Sequence, residues 1–217
     1  MQPLKIVAAL DRAVASLEML PSLDGVLAAA RVMEEEERGS GDPWSLQHDL
    51  PLQRYVSPSG EWVFMASLFE WRPIQPALMQ FYTSRHDPVR MSYDIDDGVL
   101  KYRRARLQTE GGRFRSVYEH YSLQWCSEAV AYAIGDAQRI RELLDRIRWL
   151  GSKRSLCCGR VRAWSVETDE SAHENWMRRA LPVDFDLRSP YTYAQAHQTL
   201  QPPYWRKTDR RAVLAPI

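Results

Sequence analysis

The stretch DAQRIRELLDRIRWLGSKRSLCCGRVRAWSV, residues 136–166, decides the fold. Asp136 stands where a helix N-cap belongs, and Ile140, Leu143, Leu144, Ile147 and Leu150 recur behind it at helical spacing. That spacing predicts a helix reaching Leu150, with Gly151 as its stop. Glu142 and Arg146 are placed for an i,i+4 ion pair on its wet side. Lys153 and Arg154 then sit in a short loop bounded by Gly151 and Gly159. From Arg160 to Val166 charged and apolar residues alternate, the pattern of a half-buried strand.

The loop has two readings. Small residues let backbone N–H groups approach an anion, and cations beside them add charge without bulk, so phosphate is the natural guest. It also reads as a plain helix-to-strand connection with a solvated lysine and arginine. The order of elements excludes two nucleotide motifs: a Walker loop and a dinucleotide fingerprint both precede a helix, and this loop follows one.

Outward from it, Gly135-Asp136 closes a run from Arg113 to Ala133 that reads as one long strand or two. Leu4 to Leu10 is a first strand. Ser22 caps a helix through Arg38, with Leu23, Val26, Leu27, Ala30 and Met33 on its buried side. The run Glu34 to Glu37 has the wrong sign for a helix C-terminus, so it is either a solvated end or a docking surface for a basic partner. Trp44 to Leu52 reads as loop. Tyr55-Val56 and Trp62 to Phe69 flank Ser57-Pro58-Ser59-Gly60, a hairpin signal, and Ala77 to Thr83 is a further strand. Ser84 to Gly98 reads as polar and turn-rich. Prolines 182, 190, 202 and 203 break up the chain after Val166, with Tyr204-Trp205 expected to pack back on the body. Stripped of inserts the order is βαββαβ, which predicts an α+β, ferredoxin-like (RRM-like) domain with one sheet face left free. The expected organisation is a single domain, 1–217, with a thumb-like insertion at roughly 84–125 and an irregular segment over 167–217.

The 217 residues carry a net charge of +1, so bulk electrostatics select no partner. Their distribution is more informative. Residues 101–165 hold 14 Lys+Arg against 6 Asp+Glu, and residues 1–50 hold 4 against 9. A basic side suits a polyanion, and an acidic side suits a protein. Eight tryptophans and ten tyrosines supply both core and stacking surface. Cys126, Cys157 and Cys158 give no C-x-x-C spacing, so neither a metal site nor a disulfide framework is expected. No apolar run is long enough to span a membrane, and the N-terminus opens on a strand, not a signal peptide; a cytoplasmic chain is expected.

Gly151-Ser152-Lys153-Arg154-Ser155, followed by Gly159-Arg160-Val161 and Trp164, resembles the glycine-rich loop of the RAMP proteins of CRISPR systems. More narrowly, the chain is similar to the subunit of type IV CRISPR effector complexes that caps the 5′ handle of the CRISPR RNA. Further blocks follow in family order: Pro3-Leu4-Lys5-Ile6, Leu23-Asp24-Gly25-Val26-Leu27-Ala28, Asp97-Gly98 with Lys101-Tyr102, Gly135-Asp136, Arg179-Ala180-Leu181-Pro182-Val183, and Pro202-Pro203-Tyr204-Trp205. The chain departs from the pattern at Cys157 and Cys158, where the family has a glycine and an aromatic.

The resemblance implies a non-catalytic subunit, without cofactor or metal, in defence against viruses and plasmids. It would hold the RNA handle at one end of a filament, touching the backbone subunit and the large subunit. The assembled particle would bind complementary DNA by base pairing, with contact to the protospacer-adjacent duplex left open. In that role Lys153 and Arg154 would meet phosphates, Ser152 and Ser155 would offer hydroxyls, and Gly151 and Gly159 would shape the loop. Arg160 and Arg162 would extend the cationic track. Lys101, Arg103, Arg104, Arg106, Arg113 and Arg115 lie around the Gly111-Gly112 turn, either as a hairpin closing over RNA or as ordinary solvated surface. Two rivals stand beside this reading. One is a metal-independent endoribonuclease with His48, His86, His120, His173 or His197 as base and Lys153 as the steadying cation. The other is a protein-only assembly scaffold.

Overall fold

A computed structural model describes residues 1–15, 20–39, 42–99, 101 and 115–217. In chain order its strands are β1 (Gln2–Leu10), β2 (Val14–Ala15), β3 (Arg54–Val56), β4 (Trp62–Phe64), β5 (Glu70–Pro73), β6 (Leu78–Ser84), β7 (Val117–Gln124), β8 (Cys126–Gly135), β9 (Val161–Thr168), β10 (Tyr193–Gln198) and β11 (Arg211–Pro216). Its α-helices are α1 (Leu23–Arg38), α2 (Pro88–Asp96), α3 (Ala137–Leu144) and α4 (Ala172–Asn175). The fold is α+β with antiparallel sheets. Two compact units emerge: Met1–Pro76 with Gln124–Ile217, and Ala77–Leu123.

In the larger unit four strands pair in the order β5-β8-β1-β9. β1 runs antiparallel to both neighbours, with Ile6 opposite Ala131 on one side and Val166 on the other. Its alternation explains its central place: Leu4, Ile6, Ala8 and Leu10 are buried beneath the helices, while Lys5, Val7 and Ala9 face the other way. α1 starts where Ser22 accepts from the Gly25 N–H and ends at Gly39 in a left-handed conformation. Leu23, Leu27 and Ala30 of α1 join Ile140, Leu143 and Leu144 of α3 over Ala129, Ala131 and Ala133 of β8. Each of the larger side chains contributes roughly 1.5–3 kcal/mol by leaving water.

The decisive stretch folds differently from its spacing. α3 ends at Leu144, not Leu150: after Asp145, whose N–H still reaches Arg141 O, the chain tightens to i to i−3 bonds, Arg146 N–H to Leu143 O and Ile147 N–H to Leu144 O. The chain is then drawn toward β9, through a Trp149–Arg160 bridge and a bond from Leu150 N–H to Gly159 O. Ile147 and Leu150 are still buried, which is why the apolar period outlives the helix. The expected Glu142–Arg146 pair does not form. Glu142 accepts from Gln138 and Arg139, and Arg146 turns to Glu37 of α1.

Four other expectations need correction. Met33 is exposed on α1, displaced from the core by Ala30 and Val32. Residues 84–98 contain α2, since Pro88 behind the capping Asp87 sits at the helix start, where a missing N–H costs nothing. Trp44 to Leu52 includes a 3-10 turn, Pro43–His48, capped by Asp42. Trp62 to Phe69 is strand only to Phe64, after which Ala66 makes a single bridge to Ala133.

The largest correction concerns the second sheet face and the C-terminal segment. Residues 167–217 are not irregular: β10 and β11 pair over six residues, from Tyr193–Pro216 to Gln198–Arg211. Trp176, Met177, Ala180, Leu181, Leu200 and Val213 form a second core with Val63 and Ile134, and half-buried Tyr132 packs against it. Ile134 and Tyr132 belong to the face of β8 opposite the helices. Part of the face expected to be free is therefore covered by the chain's own end.

The smaller unit contains α2 and an antiparallel β6–β7 pair running from Leu78–Leu123 to Ser84–Val117. Among the described residues no helix is long and apolar enough to cross a membrane.

Candidate nucleic-acid interface

The loop between α3 and β9 is fastened at both feet. At its start Ser152 bridges to Ala15 and its hydroxyl donates to Ala15 O at 2.8 Å. At its end Gly159 N–H donates to Ala13 O at 2.8 Å, and Gly159 O accepts from Leu150. Only glycine fits there: φ is +69°, and a Cβ would lie 1.9 Å from Leu150 O. Between the feet, residues Arg154–Leu156 make one 3-10 turn flanked by two left-handed residues, Lys153 (φ 55°) and Cys157 (φ 60°). Cys157 thus holds a glycine-like backbone without being glycine, at a local cost of about 1–2 kcal/mol. Its thiol is exposed, whereas Cys158 is buried, and burial first, then the neighbouring Cys157, pushes the Cys158 thiol up.

These bonds decide how the loop could hold an anion. The N–H groups of Leu156, Cys157 and Cys158 fold back onto Lys153 O and Arg154 O, and that of Gly159 is spent on Ala13. The second half of the loop therefore offers few amides to a phosphate. Side-chain charge is what it presents. Arg154 and Ser155 are exposed and Lys153 half-buried on the arch, and Arg160 and Arg162 are exposed beside its far foot. The Arg160 guanidinium lies 3.8 Å from the Asp11 carboxylate, a long contact.

A groove of about 340 Å³ runs along this foot, lined by Asp145, Ile147, Arg148, Arg160, Arg162 and Trp164 among others. Arg148 was not apparent from the sequence, where it fell inside the expected helix. With the helix ended at Leu144, Arg148 becomes exposed backbone-anchored charge: its carbonyl accepts from Val161 N–H at 2.9 Å. Trp164 is half-buried and its indole N–H donates to Ile147 O, which fixes the ring at the groove wall. Three guanidinium groups and one indole edge share the groove.

Of the residues assigned to the insertion, Lys101 and Arg115 are exposed in the smaller unit. Arg103, Arg104, Arg106, Arg113 and the Gly111-Gly112 turn lie outside the described residues. His48 is committed elsewhere: its Nε2 donates to Pro202 O at 2.7 Å, and its ring stands edge-on to Trp62.

Three of the sequence blocks meet in the interior, away from any candidate ligand. Arg179 donates to Asp24 Oδ2 at 3.0 Å, to Phe64 O, Ala66 O and Leu200 O at 2.7–3.1 Å, and to the Tyr204 hydroxyl at 2.9 Å. Tyr204 in turn donates to Asp24 Oδ2 at 2.6 Å. Burial opposes the charge on Arg179, yet Asp24 and Tyr204 hold it protonated beyond its ordinary range; burial pushes the Tyr204 hydroxyl up. Gly25 makes room for this closure, since a Cβ there would meet the Tyr204 ring at 3.2 Å. The blocks around Asp24, Arg179 and Tyr204 are one structural clasp.

No curated protein shows significant similarity to the chain. A family model, described as CRISPR type IV associated protein Csf3, matches residues 2–216. With loop, sheet and clasp all inside that match, the chain belongs to the Csf3 family of type IV CRISPR-associated proteins.

Proposed function

We propose that this chain is the non-catalytic, RAMP-type subunit that grips the 5′ handle of the CRISPR RNA and caps the filament of a type IV effector complex. The observation carrying this reading is the set of five cations, Lys153, Arg154, Arg148, Arg160 and Arg162, on a loop fastened at both feet and the groove beside it. Three guanidinium groups outnumber the one carboxylate lining the groove, Asp145, and such an excess of positive charge matches a phosphate backbone. The sheet order β5-β8-β1-β9, entered through β1, α1, β5, β8, α3 and β9, supports a ferredoxin-like reading. Contacts with the backbone and large subunits, and with target DNA through the assembled particle, follow from the same reading. The engagement of His48 with Pro202 supports the non-catalytic role.

The test is a mobility shift with labelled CRISPR repeat RNA, comparing wild type with Lys153→Ala/Arg154→Ala on native and denaturing gels. The expected result is intact RNA, shifted by wild type and more weakly by the variant. The salt dependence should flatten by about 0.7 in log–log slope for each phosphate that the variant leaves unneutralised. Equal affinity at several salt concentrations would remove the loop from the interface, and shortened RNA would restore the endoribonuclease.

A further inference from the structure

Two tryptophans stand in solvent on the larger unit, far along the sequence from the loop. Trp44 and Trp205 are 54% and 67% exposed, with ring centroids 6.3 Å apart at 88°. Scattered apolar surface is ordinary, but two exposed indoles in mutual contact are not.

Both are presented from anchored backbone. Trp44 is on the 3-10 turn, its N–H bonded to Asp42 Oδ1, and the far end of that turn is tied by His48 to Pro202 O. Trp205 directly follows Tyr204, whose hydroxyl is locked onto Asp24 and Arg179. The backbone on either side of the pair is thus tied down, so binding to them would demand little ordering.

The charge beside them selects a guest. Arg206, Lys207, Arg210 and Arg211 are exposed in the segment after Trp205; Arg206 pairs with Asp209 at 3.6 Å and Arg211 with Glu61 at 2.8 Å, which leaves a net positive charge. Arg206 lies 5.9 Å from the Trp205 ring centroid. Lys207 and Arg210 make no ion pair among the described residues. Flat aromatic surface beside a run of cations matches unpaired nucleotides, whose bases stack while their phosphates meet the charge. An acidic protein segment would use the cations but not the exposed ring faces, on each of which a single base can stack.

We infer that Trp44 and Trp205, with Arg206, Lys207 and Arg210, form a second nucleic-acid site, one that takes single-stranded nucleotides by base stacking. It is built from residues other than those of the proposed handle grip, 148–164, and its recognition is of bases, not of phosphate alone.

The experiment measures fluorescence anisotropy of labelled oligothymidylate of twenty residues, and of an abasic strand of equal length, against the full chain. Trp44→Ala/Trp205→Ala should bind oligothymidylate roughly ten- to a hundredfold more weakly while leaving abasic-strand affinity unchanged. Trp44→Phe/Trp205→Phe should retain most of the affinity, which separates stacking from a folding defect, and Lys153→Ala/Arg154→Ala should keep the dependence on the tryptophans. Three results overturn the inference: no binding of oligothymidylate by wild type, equal binding by the double alanine variant, or equal losses on the abasic strand. Unchanged strand binding with loss of co-purifying effector subunits would assign the surface to a protein partner. Failure of the handle reading leaves these outcomes intact, since no arm uses repeat RNA.

Discussion

Arg179 directs its guanidinium donors to partners beneath the surface, and its charge depends on one carboxylate 155 residues earlier in the chain. Removing that carboxylate strands a buried cation. Asp24→Ala is expected to cost about 3–5 kcal/mol in urea unfolding, against about 1–3 kcal/mol for Tyr204→Phe, which deletes one hydroxyl. A smaller loss for Asp24→Ala than for Tyr204→Phe would contradict the clasp. At Cys157 the sign reverses. Glycine relieves the left-handed backbone but adds freedom to the unfolded chain, so Cys157→Gly should gain about 1 kcal/mol or less and leave RNA affinity unchanged. At this scale the sequence showed which residues matter without showing why. Asp24, Arg179 and Tyr204 were visible as separate blocks resembling a family, but hydrogen-bond partnership across such separations leaves no local spacing to read. Ser152 shows the converse: seen as a hydroxyl for phosphate, its proton is given to Ala15 O.

Between elements, the joint of α1 and α3 rests on Glu34. Its nearly buried carboxylate meets Arg139 of α3, Arg31 at 2.7 Å and Arg38 at 3.1 Å, with Arg146 at 3.9 Å. The Arg139 hydrogen bond, opposed by burial and aided by the charges of Arg139, Arg38 and Arg31, holds this carboxyl below the usual range. A depressed carboxylate stabilises the fold fully above its unfolded value near 4.5, and that contribution fades as pH falls through the lower folded value. Glu34→Gln should therefore cost about 1.5–3 kcal/mol at neutral pH and flatten the acid side of the stability curve below pH 4.5, read by chemical denaturation at stepped pH. An unchanged acid limb would assign the acid sensitivity to other groups. The acidic run was legible as an anomaly at a helix end. That its partner lies on α3 was not, because the two helices meet only when both pack on the same face of the sheet. The truncated α3 has the same origin: tertiary pairing of Leu150 with Gly159 prevailed over an unbroken apolar period.

Across the larger unit, two hydrophobic clusters lie on opposite faces of one sheet, and the C-terminal segment supplies most of the second. A chain ending before Ala172 would leave Val63 and Ile134 uncovered and Asp24 without Arg179. It is expected to aggregate or elute as soluble oligomers in size-exclusion chromatography, and a monodisperse, cooperatively melting product would show the second core to be dispensable. The sheet itself was readable from alternation in β1, β8 and β9, since a central strand announces its period. The C-terminal hairpin was not, because Tyr193 to Gln198 mixes small and polar residues and draws its burial from Leu181 and Val213 across space. The clasp carries one more consequence, for the order of events at the ribosome. Asp24 is made 155 residues before Arg179 and 180 before Tyr204. Until Arg179 and Tyr204 emerge, the first helix carries a carboxylate it cannot bury, so the nascent chain has no complete interior to commit to. The larger unit therefore cannot close before Tyr204 has emerged, and products stopped short of it keep the apolar surface of the second core exposed.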